Sequence, residues 1–304
     1  MDPLMSALVF VLVFMVSGNN LSASSGSIIS SRMVSRRIGI AISIVGTLAG
    51  LFMEGNLLKY GFGQIFESSP HSLVMIPLIT GILIFMIANK MRVPQSLSIT
   101  FTTSLMGIGF AFGNGIDIGF ALSIIAFWVF AAAVSIALTM ASMRISSRII
   151  AGRDVWGSLR RIKQLLILLS FLTAFTLGAN TFGLVMVSVS RYVSVFVIAV
   201  AIILGSVFAS AGTLRRVSDD ILPMRYLNAL VSQAISVLVV EAGTLFSVPI
   251  SNTQTYSASL YGATLSYGSK LFRRRPAIEM AFTWVITAVI SFGAGYAITK
   301  LLLS

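Results

Sequence analysis

Long apolar runs separated by short polar segments dominate the chain. Each run is predicted to be a helix, because a lipid-exposed strand would leave backbone groups unpaired. The runs cover 4–16, 38–53, 73–89, 95–111, 118–142, 164–184, 194–211, 226–248, 254–268 and 278–303. Three of them (4–16, 95–111 and 254–268) are shorter than the roughly 20 residues of a full membrane span. The pattern predicts an all-α polytopic membrane protein with about ten transmembrane or re-entrant helices.

Composition supports this interpretation and excludes most soluble classes of protein. Of the 304 residues, 57% are hydrophobic and 10% are charged, and the mean hydropathy is +0.97. A soluble domain carries about 25% charged residues. The chain has no Cys and one His, so thiolate chemistry and the usual metal motifs lack their residues. We expect no enzyme activity, no catalytic residue, no cofactor and no resident metal site.

The basic residues predict how the chain crosses the membrane. The formal net charge is +12, yet the Lys and Arg residues flank apolar runs rather than forming a patch for nucleic acid. Of the 21 basic residues, 18 fall on alternate loops, as the positive-inside rule requires of cytoplasmic segments. We therefore expect a multi-pass protein of the cell membrane with both termini outside. The predicted inner loops hold Arg32, Arg36, Arg37, Lys90, Arg92, Arg144, Arg148, Arg153, Arg160, Arg161, Lys163, Arg215, Arg216, Arg225, Lys270, Arg273, Arg274 and Arg275.

The chain repeats itself once. Residues 1–143 and 164–304 form two candidate repeats, joined by a basic cytoplasmic linker at 144–163. Each half first carries small residues with an Asn and later a Pro followed by hydroxyl residues. The corresponding segments are Ser17-Gly18-Asn19-Asn20 with Leu177-Gly178-Ala179-Asn180-Thr181, and Val93-Pro94-Gln95-Ser96 with Val248-Pro249-Ile250-Ser251. Five runs in each half predict an inverted-topology duplication, and interrupted helices at its centre are where such proteins bind substrate.

The paired segments have the chemistry of an anion site. Pro at a helix start leaves N–H groups free, and the hydroxyl residues after it add donors. The candidate substrate-binding residues are Ser96, Ser98, Ser251, Asn252, Thr253 and Gln254. Asn19, Asn20, Asn180 and Thr181 are candidates for holding a cation or breaking the helix, with Na⁺ at Asn19 and Asn180 as one option. Each pattern alone is more often a helix cap or turn, and its recurrence in both halves favours the functional interpretation.

Glu241 is the acidic residue that lies well inside an apolar run. An intramembrane carboxyl is a candidate proton or cation site. A protonated, hydrogen-bonded contact between helices is an equally good interpretation of this residue.

These segments resemble the inorganic phosphate transporter (PiT) family, whose halves each carry a Gly-Ala-Asn-Asp signature and a later Pro-Val-Ser-Thr-Thr-His segment. Gly178-Ala179-Asn180-Thr181 and Pro249-Ile250-Ser251-Asn252-Thr253-Gln254 are the clearer counterparts, and Gly18-Asn19-Asn20 and Pro94-Gln95-Ser96-Leu97-Ser98 are the weaker ones. The resemblance implies a secondary transporter that binds phosphate between inverted repeats and is coupled to Na⁺ or H⁺. The signature Asp is Asn20 in one half and Thr181 in the other, so neither family carboxylate is present.

The predicted function is symport of inorganic phosphate with Na⁺ or H⁺ by alternating access. Since an acceptor carboxylate would help to prefer a protonated phosphate over sulfate, sulfate or another oxyanion remains an alternative substrate. A non-transporting membrane scaffold and a passive channel are the competing classes. The expected partners are the oxyanion and membrane lipid, with no nucleic acid, and a homo-oligomer remains open.

Overall fold

The structure, a computed structural model, describes residues 2–30, 33–59, 71–91, 93–112, 118–150, 155–209, 226–266 and 274–304. Within these ranges the chain is helical and forms no strand. The elements are α1 (Pro3–Ser30), α2 (Arg36–Glu54), α3 (His71–Met91), α4 (Leu97–Ala111), α5 (Ile118–Ile150), α6 (Val155–Thr176), a π-helical segment (Leu177–Phe182), α7 (Gly183–Val189), α8 (Val195–Phe208), α9 (Tyr226–Leu245), α10 (Asn252–Ser266) and α11 (Arg274–Leu303).

The helices have the length and surface of a membrane protein. In the described part of the chain, seven helical stretches are long and apolar enough to cross a membrane, and α4 and α8 are shorter apolar helices. The outward faces of α5 and α11 expose large apolar side chains, such as Phe130 at 64% and Phe282 at 65% exposure. Exposed apolar area on this scale is unfavourable in water and suits contact with lipid. The predicted all-α membrane fold is confirmed.

The prediction that the first apolar run covers only 4–16 and is interrupted at Ser17-Gly18-Asn19-Asn20 is wrong. Helix α1 continues through Asn19 and Asn20 to Ser30. In the second half the corresponding residues form a single π-helical turn between α6 and α7, so the helix is distorted there but not interrupted. Both helices continue because the Asn side chains bond to neighbouring segments, as described below, and do not compete for the backbone of their own helix.

Two helical hairpins occupy corresponding places in the halves. Helices α3 and α4 pack together as hairpin 1, and α9 and α10 pack together as hairpin 2. The tip of hairpin 1 is the extended segment 93–96, and the tip of hairpin 2 is 246–251. At the second tip Ser247 has a positive φ of 58°, which allows the tight turn into the extended residues that follow. Thus α4 and α10 are short helices that begin inside the protein.

The most extensive contacts between a helix of the first half and a helix of the second half each have a counterpart in which the two halves change places. Helix α4 packs on α11 while α10 packs on α5, and α1 packs on α8 while α2 packs on α6. Glycines allow the closest approaches, because a Cβ at Gly107 or Gly295 would overlap backbone atoms of the partner helix in the α4–α11 pair. At Gly262 a Cβ would overlap the Ile136 carbonyl group of α5. Each half therefore contributes one short helix that packs on the last helix of the other half.

Eight of the 18 basic residues that were predicted to lie in inner loops fall outside the described residues. These are Arg32, Arg92, Arg153, Arg215, Arg216, Arg225, Lys270 and Arg273. Arg36, Arg37, Lys90, Arg144, Arg160, Arg161 and Lys163 are described and exposed. The predicted positions of the termini stay a prediction. Most of the 144–163 linker is helical, since α5 reaches Ile150 and α6 begins at Val155.

Candidate substrate site

Asn19 on α1 fixes the tip of hairpin 1. Its Oδ1 accepts a hydrogen bond from the Gln95 backbone N–H at 2.8 Å, and its Nδ2 donates to the Val93 carbonyl oxygen at 3.1 Å. Nδ2 also donates to Oδ1 of Asn89, the residue before Lys90 near the end of α3, at 2.7 Å. The amide thus supplies partners to backbone groups that an extended segment inside a protein would otherwise leave unpaired.

Asn180, in the π segment, makes the corresponding bonds to hairpin 2. Its Oδ1 accepts from the Ile250 backbone N–H at 2.9 Å, and its Nδ2 donates to the Val248 carbonyl oxygen at 3.1 Å. Nδ2 also donates to Thr244 Oγ1 on α9 at 3.0 Å. The same pattern of bonds at both tips supports a positioning role for Asn19 and Asn180, which is one of the two roles that the sequence suggested.

Ser96 and Ser251 cap the two short helices. Ser96 Oγ accepts from the Ile99 backbone N–H at 3.2 Å, and Ser251 Oγ accepts from the Gln254 backbone N–H at 3.1 Å. Ser251 Oγ also lies 3.0 Å from Thr253 Oγ1. A hydroxyl used in this way organises the helix start, so these two serines hold the free N–H groups of α4 and α10 in place.

The structure brings the two tips together beside α1 and the π segment. Ser98, in the first turn of α4, lies 3.4 Å from Thr181 Oγ1 and donates a 3.4 Å hydrogen bond to the Ile250 carbonyl oxygen. The corresponding residues of the other half, Thr253 and Asn20, lie on α10 and α1, which also contact each other. Ala23 of α1 packs with the hairpin 1 tip and α10 through Val93, Tyr256 and Leu260.

Several buried polar atoms at this junction have no hydrogen-bond partner in the described part of the protein. They are Asn20 Oδ1, Gln95 Oε1, Ser17 Oγ and both polar side-chain atoms of Asn252. Asn252 is only 3% exposed. An unpaired buried amide costs about 1–3 kcal/mol, so a cluster of such atoms marks a place where a polar ligand would be stabilising.

The structure brings part of the predicted set together. Asn20, Ser96, Ser98, Thr181, Ser251, Asn252 and Thr253 are all buried, and Ser98 lies beside Thr181 and the hairpin 2 tip. Gln254 is half-buried and its backbone N–H bonds to the Ser251 cap. None of these side chains is charged, and among the described residues no cluster of His, Cys, Asp and Glu could hold a metal ion. The positive potential must come from the N-termini of α4 and α10.

Gln95 was not among the predicted site residues. Its Nε2 donates to Thr287 Oγ1 on α11, which leaves Oε1 turned into the protein without a partner. No local pattern in the sequence predicts this contact, because Thr287 lies in a different half of the chain. Trp128 on α5 likewise supports the other tip by donating from Nε1 to the Pro249 carbonyl oxygen at 2.8 Å.

Glu241 lies on α9, about one turn before Thr244. Its half-buried carboxyl group lies near that of Glu54, at the end of α2. The sequence did not predict that Glu241 lies next to a second carboxyl group.

Three comparisons with known proteins bear on this arrangement. Residues 16–295 match the family model described as the phosphate transporter family. The chain belongs to this phosphate transporter family. It is 22% identical over 299 residues to a protein of Methanocaldococcus jannaschii named "Putative phosphate permease", covering 96% of this chain and 95% of that one.

A solved structure has the same fold. It is described as "The sodium-dependent phosphate transporter", and it matches with a TM-score of 0.84 and 15% identity over 98% of each chain. Membership of this family, together with the apolar helices, makes the chain a multi-pass membrane protein of a transporter family. The resemblance that the sequence motifs indicated is confirmed.

Proposed function

We propose that this protein is a secondary transporter that moves inorganic phosphate across the cell membrane together with Na⁺ or H⁺. The observation that carries the proposal is that two capped helix N-termini, those of α4 and α10, begin inside the protein near each other. Near these helix starts, the side-chain amides of Asn20, Gln95 and Asn252 have buried atoms without a hydrogen-bond partner among the described residues. Backbone N–H groups at helix starts bind oxyanions, and the free amides add neutral hydrogen-bonding groups. The family membership and the relative's name favour phosphate as the anion.

We propose transport by alternating access because the short helix of each half packs on the last helix of the other half. If residues 1–143 and 164–304 are inverted repeats, each half supplies one hairpin tip to a common site and one long helix that carries the other half's short helix. Rocking the two pairs, α4 with α11 and α10 with α5, would open the junction first to one side and then to the other. In this proposal both termini lie outside, and the 144–163 linker lies in the cytoplasm.

Two candidates remain for the coupling ion. The neighbouring carboxyl groups of Glu54 and Glu241 favour H⁺, because Glu241 and Thr244 lie on consecutive turns of α9 and Thr244 accepts a hydrogen bond from Asn180. The family neighbour named for sodium dependence favours Na⁺, which carbonyl and hydroxyl oxygens can coordinate. Asn20 Oδ1 and Thr181 Oγ1 are better placed for Na⁺ than Asn19 and Asn180, whose amides already bond to the tips.

Uptake into proteoliposomes tests the proposal. Purified protein is reconstituted, and uptake of radiolabelled phosphate is followed with an inward Na⁺ gradient, an inward H⁺ gradient, or neither. We expect saturable uptake that one of the two gradients accelerates. Uptake of radiolabelled sulfate but not phosphate would assign the protein to another oxyanion, and no flux of either anion with folded protein would favour the scaffold.

A further inference from the structure

A line of buried polar side chains leaves the candidate site along the interface between α9 and α10. Ser236 Oγ and Thr255 Oγ1 lie 2.9 Å apart across this interface, and Thr255 Oγ1 also bonds to the carbonyl oxygen of Asn252 at 3.2 Å. The line therefore begins at Asn252, whose side-chain amide has no hydrogen-bond partner among the described residues. It continues away from the tip of hairpin 2.

The register of the hairpin places the next polar residues opposite one another. Helices α9 and α10 are antiparallel. One helical turn farther from the hairpin tip than the Ser236–Thr255 pair, α9 carries Ser232 and α10 carries Ser259, so these two residues lie opposite each other. A further turn of α9 reaches Asn228. From Ser236 to Asn228 the line extends roughly 12 Å at 1.5 Å per residue.

Asn228, Ser232 and Ser236 form a polar stripe on α9 that lies between two apolar faces of the same helix. On one side Ala229 packs with Ile28 of α1 and Leu166 of α6. On the other side Val231 and Ile235 pack with residues of α5 and α10. Residues 228, 232 and 236 fall between these faces on the helical wheel, which directs the stripe toward the groove between α1 and α10.

The polar groups of this line are buried but unused. Ser232 and Ser259 are 0% exposed, Asn228 is 3% exposed, and within the described residues Ser232 Oγ, Ser259 Oγ and Asn228 Oδ1 have no hydrogen-bond partner. Helical hydroxyls elsewhere in hairpin 2 bond to their own helix, as Thr264 does to the Leu260 carbonyl oxygen at 2.9 Å. Unpaired buried hydroxyls also occur on other helices, such as Ser104 on α4 and Thr139 on α5, so what distinguishes this line is its position on two facing helices and its connection to Asn252 through Thr255.

Hairpin 1 carries counterparts of this line on α4 only. Thr100 and Ser104 correspond to Thr255 and Ser259, and Ser104 Oγ is likewise buried without a partner among the described residues. Leu73, Pro77 and Gly81 of α3 occupy the positions that correspond to Asn228, Ser232 and Ser236. Leu73 belongs to a large apolar cluster with Val74, Ile76 and Leu78. At the corresponding positions, both helices of hairpin 2 therefore carry polar groups, whereas in hairpin 1 only α4 does.

We infer that the stripe formed by Asn252, Thr255, Ser236, Ser232, Ser259 and Asn228 is the path by which the transported anion moves between the site and the end of the protein where α9 begins. This inference rests on the proposed function. The sequence next to both helix ends at that end is net basic, with Arg215, Arg216 and Arg225 against Asp219 and Asp220 before α9, and with Lys270 and Arg273 after α10. Positive charge attracts an oxyanion. Ser232 and Ser259 are fully buried in the structure, so passage along the path requires a small separation of α9 from α10 or α1.

Cysteine labelling tests the path, because the natural chain contains no Cys. Ser232→Cys and Ser259→Cys probe it independently from the two helices. Leu238→Cys, at 63% exposure on α9, is the lipid-facing control, and Leu73→Cys is a buried apolar control at the hairpin 1 position that corresponds to Asn228. Each variant is reconstituted and treated with a membrane-impermeant anionic methanethiosulfonate from either side, since only a hydrated thiolate reacts quickly.

We expect the two path variants to react from the side of the basic loops at least about tenfold faster than Leu73→Cys and Leu238→Cys. Phosphate should slow this reaction several-fold. Unreactive Ser232→Cys and Ser259→Cys in folded, phosphate-transporting protein would overturn the inference, as would reaction from the opposite side only or reaction that phosphate leaves unchanged.

The labelling also separates this inference from the proposed function. Phosphate uptake by the unmodified chain with unreactive path variants contradicts the path alone. Absence of phosphate uptake by the unmodified chain contradicts the proposed function, and rapid one-sided labelling would then still support a hydrated path along hairpin 2.

Discussion

Asn180 holds Ile250 through a 2.9 Å hydrogen bond from the Ile250 backbone N–H to Asn180 Oδ1. This bond joins the π segment to the residue just before the Ser251 cap, and Asn19 makes the equivalent 2.8 Å bond to Gln95. Each short helix is therefore positioned by one amide from the first long helix of its own half. The positions of the anion-binding helix starts depend on these two side chains.

Asn180→Ala should lower both stability and transport. It leaves the Ile250 N–H and the Val248 carbonyl group without their partner, at a cost of about 1–3 kcal/mol each. We expect a lower thermal unfolding temperature by intrinsic tryptophan fluorescence and several-fold slower phosphate uptake. Asn56→Ala, at an exposed Asn in the turn after α2, is the control. An unfolding temperature equal to that of the control would contradict the positioning role.

Asn252→Ala and Ser251→Ala should separate binding from folding. The amide of Asn252 has no partner in the described protein, so its loss should raise the KM for phosphate with little change in thermal stability. Ser251 caps α10, and its loss should cost about 1 kcal/mol of stability. The double variant Ser96→Ala/Ser251→Ala should abolish uptake while some folded protein remains. Kinetics of uptake and thermal unfolding, measured on the same preparations, check this. An unchanged KM in Asn252→Ala would remove that residue from the site.

Glu241→Gln should uncouple uptake from a pH gradient. Gln has the shape of a protonated carboxyl group and can keep the contact with Glu54, but it cannot release a proton. We expect phosphate binding at fixed pH to persist while uptake driven by an inward H⁺ gradient falls several-fold. Glu54→Gln should behave in the same way, because the two carboxyl groups lie next to each other. Full H⁺-driven uptake in both variants would show that this pair is not the coupling site.

Asn20→Asp should make the protein depend on Na⁺. Asn20 Oδ1 is buried and unpaired among the described groups, and a carboxylate of the same shape would place an uncompensated charge there. A bound Na⁺ would compensate that charge. We expect the unfolding temperature of the variant to rise with Na⁺ concentration more than that of the unmodified chain, with K⁺ as the control. Equal responses to the two ions would argue against a cation site beside Asn20.

Gly295→Ala and Gly293→Ala form a matched pair on α11. A Cβ at Gly295 would overlap the Ser104 carbonyl oxygen of α4, whereas nothing lies within 4 Å of a Cβ at Gly293. Gly295→Ala should therefore separate α4 from α11 and lower the unfolding temperature. Gly293→Ala should be neutral or stabilising by up to about 1 kcal/mol, since Ala favours helix. Similar unfolding temperatures for the two variants would contradict the close helix packing.

The sequence predicted the helical fold and the residues of the site better than it predicted their roles. Hydropathy and the matched Asn and Pro-x-Ser segments suffice to single out Ser98 and Thr181, which lie 3.4 Å apart in the structure, because the signals that mark them are local. The expectation of a break at Asn19 failed because the amide bonds to a tip 76 residues away, and no local pattern reports such a contact.

Two contacts could not be predicted from the sequence, and for the same reason. Gln95 bonds to Thr287, and Glu241 faces Glu54. Both contacts join the two halves of the chain, where the packing of helices decides which polar groups meet. Periodicity reveals which face of a helix is polar, but it does not reveal which other helix covers that face.

Direct binding of phosphate to the purified protein tests the central claim, namely that the junction of the two hairpin tips binds the anion. Isothermal titration calorimetry of the unmodified chain should give saturable binding at one site per chain, and Asn252→Ala should weaken it at least about tenfold, which corresponds to about 1.4 kcal/mol. Unchanged binding in Asn252→Ala, or no binding by the folded unmodified chain, would contradict the account.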